Sequence, residues 1–549
     1  MNASALDASD AAARWPSPWR AALILALAGL LLLVAGEAVQ ILRLNAGHFG
    51  FSMDDPYIHL ALSENIARGH YGVNLNEPSS PSSSILWPFL LVPLAGSAAA
   101  VWAIVVLNTL FAALTLVLVW RSLVKGLGEP VARQPGLGAQ CLLAAVLLTF
   151  AVGTNLIPLI FTGLEHSLQV LCCVAVVAGL FEESDTGRAP AWLWLALVLA
   201  PTVRYECVGV VAPALLYLLW RGHRLGAVLA GVLIAAVLGA FSAYLMRQGL
   251  PWLPNSIMAK LHMTGQGGGG RVAILRENLQ SDRGALLSVG ILMLVYQAQR
   301  TGQLASRRGL AAAMALAGFI HLLFGRNGWY ARYEDYIVAS VLLAAVWFCR
   351  DRVRQAWASA GLRPAGAMAL MVLALLMLAS PYLYTLSTTP AAARNVYLQQ
   401  YQMHRFVQEF YRKPVAINDL GWVAYQNDEP VLDLYGLAST EALQARYSRQ
   451  DPQWMARLTE RHHTRLAMLY DVWFPDMPAQ WVRVGRLVTA GKQVIVPKME
   501  VAFMATDCAE WRSLVPQLRA FAKTLPEGAS FEFDAAAVDR CAPQPVALN

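Results

Sequence analysis

The chain has 549 residues, of which 57% are hydrophobic and only 14% charged. A soluble chain carries about 25% charge, so the composition excludes a water-soluble globular protein. The net charge of +7 is no nucleic-acid footprint either, because the arginines fall in short loops between apolar runs, the positive-inside pattern of a membrane protein.

The stretch MNASALDASDAAARWPSPWR is polar and mildly basic, and the apolar run after it is long enough to span, so it reads as an uncleaved first helix. A span needs about 20 apolar residues. Candidates lie near 21–43, 101–120, 138–154, 166–181, 190–203, 206–220, 225–246, 284–299, 309–325, 336–349 and 366–386. The expected fold class is a polytopic α-helical membrane protein with about 11 transmembrane helices, up to about 13, followed by a C-terminal exported α/β domain. The fifth run is short and meets the sixth at PTVRYE, as a tight hairpin or a broken helix.

Basic residues orient the spans. Arg14 and Arg20 precede the first; Arg121, Lys125 and Arg133 follow the second. Arg221 and Arg224, then Arg300, Arg307 and Arg308, then Arg350, Arg352, Arg354 and Arg363 follow later ones. All fall on one side, the cytoplasm, if SILWPFLLVPLAG (84–96) does not cross. That segment is short, holds two prolines and reads as a juxtamembrane helix. An odd number of spans then places the chain after about residue 387 outside. The expected division is a transmembrane domain over 1–388, with its first outer loop at 44–100, and an exported domain over 389–549. In the latter, VAINDLGWVAYQ, PVLDLYGL and RLAMLY read as strand or strand–helix units and TEALQARY and DPQWMARLTERHH as helices. VRVGRLV and KQVIVPKMEVAFMA read as strands. Of seven cysteines, Cys141, Cys172, Cys173, Cys207 and Cys349 lie in or beside apolar runs, as small buried hydrophobes do, and no CxxC or metal-type His/Cys spacing occurs. Cys508 and Cys541 can pair as a disulfide if their region is exported.

The unusual polar segments collect on the outer face. FSMDDPYIHLALSENIARG places Asp54 and Asp55 at the start of a helix that ends at Gly69. A solvated turn is the plain reading; a metal ligand, a cation partner or a base is the chemical one. In TGLEH, Glu165 and His166 either cap a helix or face the same site. In VRYE, Arg204 and Glu206 form a structural salt bridge or meet a phosphate or carboxylate. LPNSIMAK carries Asn255 and Lys260, and GRNGWYARYEDY carries Arg326, Arg332 and Tyr333, as interface anchors or headgroup contacts. The GGGG run at 267–270 has no following GK[ST] and reads as a flexible hinge. His59 and His70 read as packed or solvent-facing.

This ordered set resembles the GT-C superfamily of integral membrane glycosyltransferases: DD after the first span, SSPSSSILW, TGLEHSL, VRYE, LPNSIMAK, ARYEDY, then INDLGWVAY and VLDLYGL. It is most similar to the bacterial branch related to arabinofuranosyltransferases, and more distantly to protein mannosyltransferases and the aminoarabinose transferase acting on lipid A. The resemblance covers about residues 20–440, and the order of motifs carries it. Tyr205 stands where many relatives have proline, and the Ser-rich stretch lacks their Gly-Tyr-Thr lead-in.

The resemblance implies a sugar donor on a polyprenyl phosphate and a cell-envelope glycan, lipid or protein as acceptor, with no nucleic acid involved. Transfer would occur at the outer face of the bacterial cytoplasmic membrane, with the N-terminus cytoplasmic and the C-terminal domain periplasmic. It implies Asp54 or Asp55 as the base that takes the acceptor hydroxyl proton. Some relatives use a divalent cation, for which Asp54 or Asp55 would be the ligand. Arg204, Lys260, Arg326 and Arg332 would face the phosphate. Glu165, His166 and Glu206 would face sugar hydroxyls or hold those cations, and Asn255 and Tyr333 complete the expected substrate-binding set. Two other classes stay open on the residues alone: a transporter or flippase for a lipid-linked sugar, and a non-catalytic membrane scaffold.

Overall fold

Ten of the eleven apolar runs form helices in the computed structural model. It describes residues 17–127, 135–265, 270–351, 379–448 and 450–541. Most of the eleventh run, and the GGGG hinge apart from Gly270, lie outside the described residues.

The first helices are α1 (Arg20–Leu44), α2 (Asp55–Ala67), α3 (Leu86–Leu91), α4 (Ala100–Leu127), α5 (Leu137–Gly153), α6 (Leu156–Thr162) and α7 (His166–Thr186). Then come α8 (Ala191–Val203), α9 (Val208–Trp220), α10 (Arg224–Arg247), α11 (Asn255–Gly265), α12 (Gly270–Gln280), α13 (Asp282–Gln299), α14 (Ala305–Phe324), α15 (Asp335–Phe348) and α16 (Ser380–Leu398). Five of these, α1, α4, α7, α10 and α14, are long and apolar enough to cross a membrane. The α5–α6 pair, bent by 46°, makes a sixth if it is one span. The bend falls at Asn155, whose left-handed φ of 57° is one that asparagine tolerates better than other side chains. Leu32 and Val232 are 74% and 61% exposed, and such outward leucine and valine along α1 and α10 make sense only against lipid. The chain is a multi-pass membrane protein. Segment 84–96 forms only α3 and a 3₁₀ turn, Val92–Leu94, too short to cross.

The fifth and sixth runs form a helical hairpin, α8–α9. Arg204 at its tip is extended (φ −153°, ψ 136°) and ends α8. Ion pairs fix the hairpin's register on α7. Arg204 donates to Glu165 at one end of α7 at 2.6 Å, and Arg221 donates to Glu183 near the other at 2.9 Å. Those glutamates are eighteen residues apart, a helical rise of about 27 Å, close to the hydrocarbon thickness of a bilayer. Glu183 is fully buried and also accepts from Tyr217 Oη at 2.7 Å, with His223 Nε2 at 3.1 Å.

Beyond α16, a short helix α17 (Gln400–Arg405) and a π-helical turn lead into a six-stranded sheet of order β2-β1-β3-β5-β4-β6. Its strands are β1 (Val415–Ile417), β2 (Val431–Asp433), β3 (Leu466–Leu469), β4 (Val482–Thr489), β5 (Glu500–Ala505) and β6 (Ala529–Phe533). β1 pairs in parallel with β2 and β3, while β3–β5, β5–β4 and β4–β6 are antiparallel. The connecting helices are α18 (Gly421–Ala424), α19 (Thr440–Ser448), α20 (Trp454–Arg461), α21 (Cys508–Ala522) and α22 (Ala535–Cys541). The period-2 pleat sends Ala467 and Leu469 against Trp454 and Leu458 of α20 and Leu466 and Met468 into the core that holds Leu514, Leu518 and Phe521 of α21. KQVIVPKMEVAFMA is a strand only from Glu500 onward. Pro497 has no N–H for a ladder, and Asn395 of α16 takes the preceding backbone: its side chain donates to Lys492 O at 2.9 Å and accepts from Val494 N at 2.8 Å. Cys508 and Cys541 are joined, with Cα atoms 5.2 Å apart, and tie α22 to α21.

Glu183→Ala strands Arg221 beside a buried gap, and we expect a loss of about 3 kcal/mol of stability, read as a lowered melting temperature of the detergent-solubilised protein. Reduction should slow the migration of the denatured wild type in gels, and Cys508→Ser should migrate like the reduced form without reductant.

Candidate active site

A cavity of about 280 Å³ opens at the Glu165 end of α7. Its walls are α2, the hairpin tip, α11, the loop 325–334 and the sheet's β1 and β2 ends. Seven expected residues line it: Asp55, Glu165, Arg204, Lys260, Arg326, Arg332 and Tyr333. Asp54, His166, Glu206 and Asn255 do not.

The two adjacent aspartates have different surroundings. Asp55 begins α2, where a carboxylate favours the helix dipole and Pro56 fits the first turn. Its side chain is 36% exposed and pairs with Arg332 at 2.7 Å. Asp54 is 7% exposed. Its Oδ2 accepts the Gly421 N–H at 2.6 Å and its Oδ1 accepts the Trp422 N–H at 2.8 Å. Asp54 thus fastens the loop before α2 to the start of α18, 367 positions away. Burial and nearby Asp419 push its carboxyl well above the usual range, against the two N–H donors, which favour the ionised form. A Cβ on residue 421 would lie 2.0 Å from the Asp54 carbonyl oxygen, so only glycine fits. Tyr57 stacks on Trp422 with centroids 3.8 Å apart. Asn74 bonds both ways with Val431 at the open edge of β2, at 3.0 and 2.9 Å.

The cations come from three elements. Arg204, 4% exposed, is divided between Glu165 at 2.6 Å and Glu206 at 2.9 Å. Lys260 of α11 donates to Ser83 of the Ser-rich loop at 3.2 Å and lies 3.6 Å from Glu206. Loop 325–334 carries Arg326 and Arg332 on either side of three successive left-handed residues, Trp329, Tyr330 and Ala331, with φ of 47°, 63° and 55°. Each costs about 1–2 kcal/mol. The turn is held by Glu334, which accepts the Gly328 N–H at 2.8 Å and pairs with Arg283 at 3.0 Å, and by Asn155 Nδ2, which donates to Ala331 O at 2.9 Å. Tyr333 sits between Lys260 and Arg332, each about 5 Å from its ring. Burial would raise its phenol, but these two cations bring it below the ordinary value.

The remaining expected residues lie off the cavity wall. His166 is 1% exposed, and neither ring nitrogen has a partner. Asn255 donates to Thr440 Oγ1 at 3.1 Å, and its N–H to Ser80 O at 3.1 Å. His70 Nε2 contacts Glu77 O at 3.2 Å.

Several lining residues were not singled out in the sequence. Asn418, Asp419, Tyr435 and Trp473 follow strands of the C-terminal sheet, and His59, read from the sequence as packed or solvent-facing, lines the cavity 3.8 Å from Glu165. Asp419 accepts from Gln400 at 2.6 Å and from Tyr470 Oη at 3.3 Å. Burial, with Asp55 nearby, pushes its pKa up to about 6. Asn418 and Asp419 fall inside the quoted INDLGW motif, which was the signal available.

These residues do not fit a divalent cation. Both Asp54 oxygens are taken by N–H donors, Asp55 faces Arg332, and among the described residues no group of three His, Cys, Asp or Glu side chains is placed to hold a metal.

A family model described as a domain of unknown function, DUF8728, matches residues 394–504. No curated protein matches the chain by sequence. Among solved structures, the chain is similar to the oligosaccharyltransferase of Archaeoglobus fulgidus tethered with an acceptor peptide, at 12% identity and a TM-score of 0.43, over 86% of this chain and 75% of that one. The oligosaccharyltransferase AglB from Archaeoglobus fulgidus with an inhibitory peptide and a dolichol-phosphate gives 12% identity and 0.42, over 93% and 76%. ArnT from Cupriavidus metallidurans bound to undecaprenyl phosphate gives 13% and 0.45, over 87% and 98%.

Asp54→Asn places an NH₂ group where an oxygen now accepts, and Gly421→Ala forces the same contact open from the other side. Each should cost about 1–3 kcal/mol locally. Hydrogen–deuterium exchange over residues 418–425 should quicken by roughly tenfold or more; wild-type exchange rates in both variants would show that the contact holds nothing.

Proposed function

We propose that the chain is a GT-C-type membrane glycosyltransferase (transferase class 2.4). In this reading it moves a sugar from a polyprenyl phosphate to an acceptor hydroxyl at the outer face of the cytoplasmic membrane, in cell-envelope biogenesis. The exported domain begins near residue 389 and roofs the site. One observation carries the reading: a half-exposed carboxylate, Asp55, shares a cavity at one end of the apolar bundle with Lys260, Arg326 and Arg332.

The chemistry follows from that placement. Sugar transfer passes through an oxocarbenium-like state while negative charge grows on the departing phosphate. Lys260, Arg326 and Arg332 stand ready for that charge, in a partly desolvated site where fixed cations act most strongly. Asp55 takes the proton of the attacking hydroxyl, and Arg332 orients it through a charge-assisted bond. Asp54 shares no part of the proton transfer; it positions Asp55 by fixing the loop. Arg204 is a structural cation that seats Glu165 and Glu206 at the hairpin tip. A lipid-borne donor and a water-borne acceptor meet where the bundle ends, which is why acids stand next to the apolar helix.

Asp55→Asn should lower sugar transfer from native envelope lipid by at least about 100-fold while the melting temperature stays near wild type. Wild-type transfer in that variant sinks the base assignment. Wild-type protein that moves lipid-linked sugar across proteoliposomes without consuming it is a transporter, and protein that neither moves nor consumes it is a scaffold.

A further inference from the structure

We infer that the C-terminal wall of the cavity is a subsite for one sugar ring bearing adjacent hydroxyls, a reading that rests on the glycosyltransferase assignment. The cavity has two chemically different sides. The side built by α11 and loop 325–334 is cationic, whereas the sheet side offers Asn418, Asp419, Tyr435 and Trp473.

Asn418 and Asp419 follow β1 directly. Asn418 Oδ1 accepts the Tyr470 N–H at 2.7 Å, which fixes the amide's orientation. Its Nδ2 is buried without a partner, and the residue is 6% exposed. A buried unpaired donor is rare in a folded protein and calls for an explanation. Next to it, Asp419 is held by one oxygen: Gln400 and Tyr470 both donate to Oδ2, and Oδ1 has no partner among the described residues. An unmet donor and an unmet acceptor on consecutive residues suit two neighbouring hydroxyls, each of which donates and accepts.

The same wall holds aromatic rings. Tyr435 and Trp473 have centroids 5.5 Å apart. The Arg446 guanidinium stands 3.8 Å over the Tyr435 ring and Tyr470 lies 5.0 Å from Trp473, so both rings are fixed in place. Aromatic faces beside fixed polar groups take a ring that has one apolar C–H face and a polar edge. Other occupants fit worse. A phosphate would meet the Asp419 carboxylate, and an ammonium would leave Asn418 Nδ2 unmet. The ring is either the donor's own sugar or a sugar of the acceptor, and both present this chemistry.

The test uses full-length protein in nanodiscs and a panel of methyl pyranosides and furanosides, read by saturation-transfer NMR. At least one glycoside with adjacent free hydroxyls should bind the wild type. Its affinity should fall roughly tenfold in Trp473→Ala and in Asp419→Asn, and be kept in Trp473→Phe. The deoxy analogue lacking one of the two hydroxyls should bind more weakly to the wild type. If no glycoside binds, or if binding is the same in Trp473→Ala and Asp419→Asn as in wild type, the subsite is overturned. Undecaprenyl phosphate binding is measured separately on the same sample. Protein that takes a glycoside but not undecaprenyl phosphate keeps the subsite and loses the glycosyltransferase reading. A glycoside displaced by undecaprenyl-phosphoryl sugars of the same ring, but not by undecaprenyl phosphate, marks the donor's sugar. One that stays bound with either lipid marks the acceptor's.

Discussion

Two backbone N–H groups at the start of α18 meet the two oxygens of Asp54, and that contact joins a membrane bundle to a soluble sheet. The supporting contacts are of the same kind. Asn74 stands in for a missing strand at the β2 edge, Tyr57 stacks on Trp422, and Asn255 exchanges hydrogen bonds with Thr440. These contacts are directional, and they sit beside an apolar core that runs without a break from Tyr57 and Leu60 of α2 to Ile417 and Val423 of the C-terminal region. Directional contacts fix orientation more tightly than buried area does, which is what a cavity assembled from distant parts of the chain requires. Because Asp54 is bound in this way, Asp55 is held at the cavity wall with its carboxylate half in the open.

The second constraint is the membrane. Glu165 and Glu183 mark the two ends of α7, and the α8–α9 hairpin is pinned at both, so the polar tip with Arg204 stays level with the loops that line the cavity. Charge pairs this deeply buried seldom add stability compared with apolar packing, but they fix register, and here register decides whether Arg204 reaches Glu165 at all. The strained turn at Trp329–Ala331 belongs to the same economy of positions: Arg326 and Arg332, six residues apart, reach one cavity because the backbone between them coils the unfavourable way.

Much of this was legible in the sequence, and the unread parts share a cause. The apolar runs gave the helices because hydropathy is local. Glu165, Arg204, Lys260 and Arg332 stood out because a charge beside an apolar run is costly and rarely idle. The different surroundings of Asp54 and Asp55 could not be read, since the deciding partners lie 367 positions away. Asn418 and Asp419 lay inside a segment read only as a strand–helix unit and were not singled out. Their importance depends on which cavity the strand end faces, and that is set by sheet order. Val494–Pro497 looked like a strand because its composition is β-branched, but Asn395 accepts its first N–H groups and Gln493 donates to the carbonyls of Val496 and Pro497.

The long reach of the Asp54 contact also sets a timetable. Ribosomes make the apolar helices first, and those helices can sit in the bilayer long before residue 422 exists. Until that residue has been made and the C-terminal domain has folded around it, the loop before α2 lacks its fastening and the cavity lacks a wall. A chain interrupted anywhere before then carries its acids and cations at the membrane surface without the enclosure that gives them a common target. Immature or truncated copies therefore lack the assembled cavity altogether.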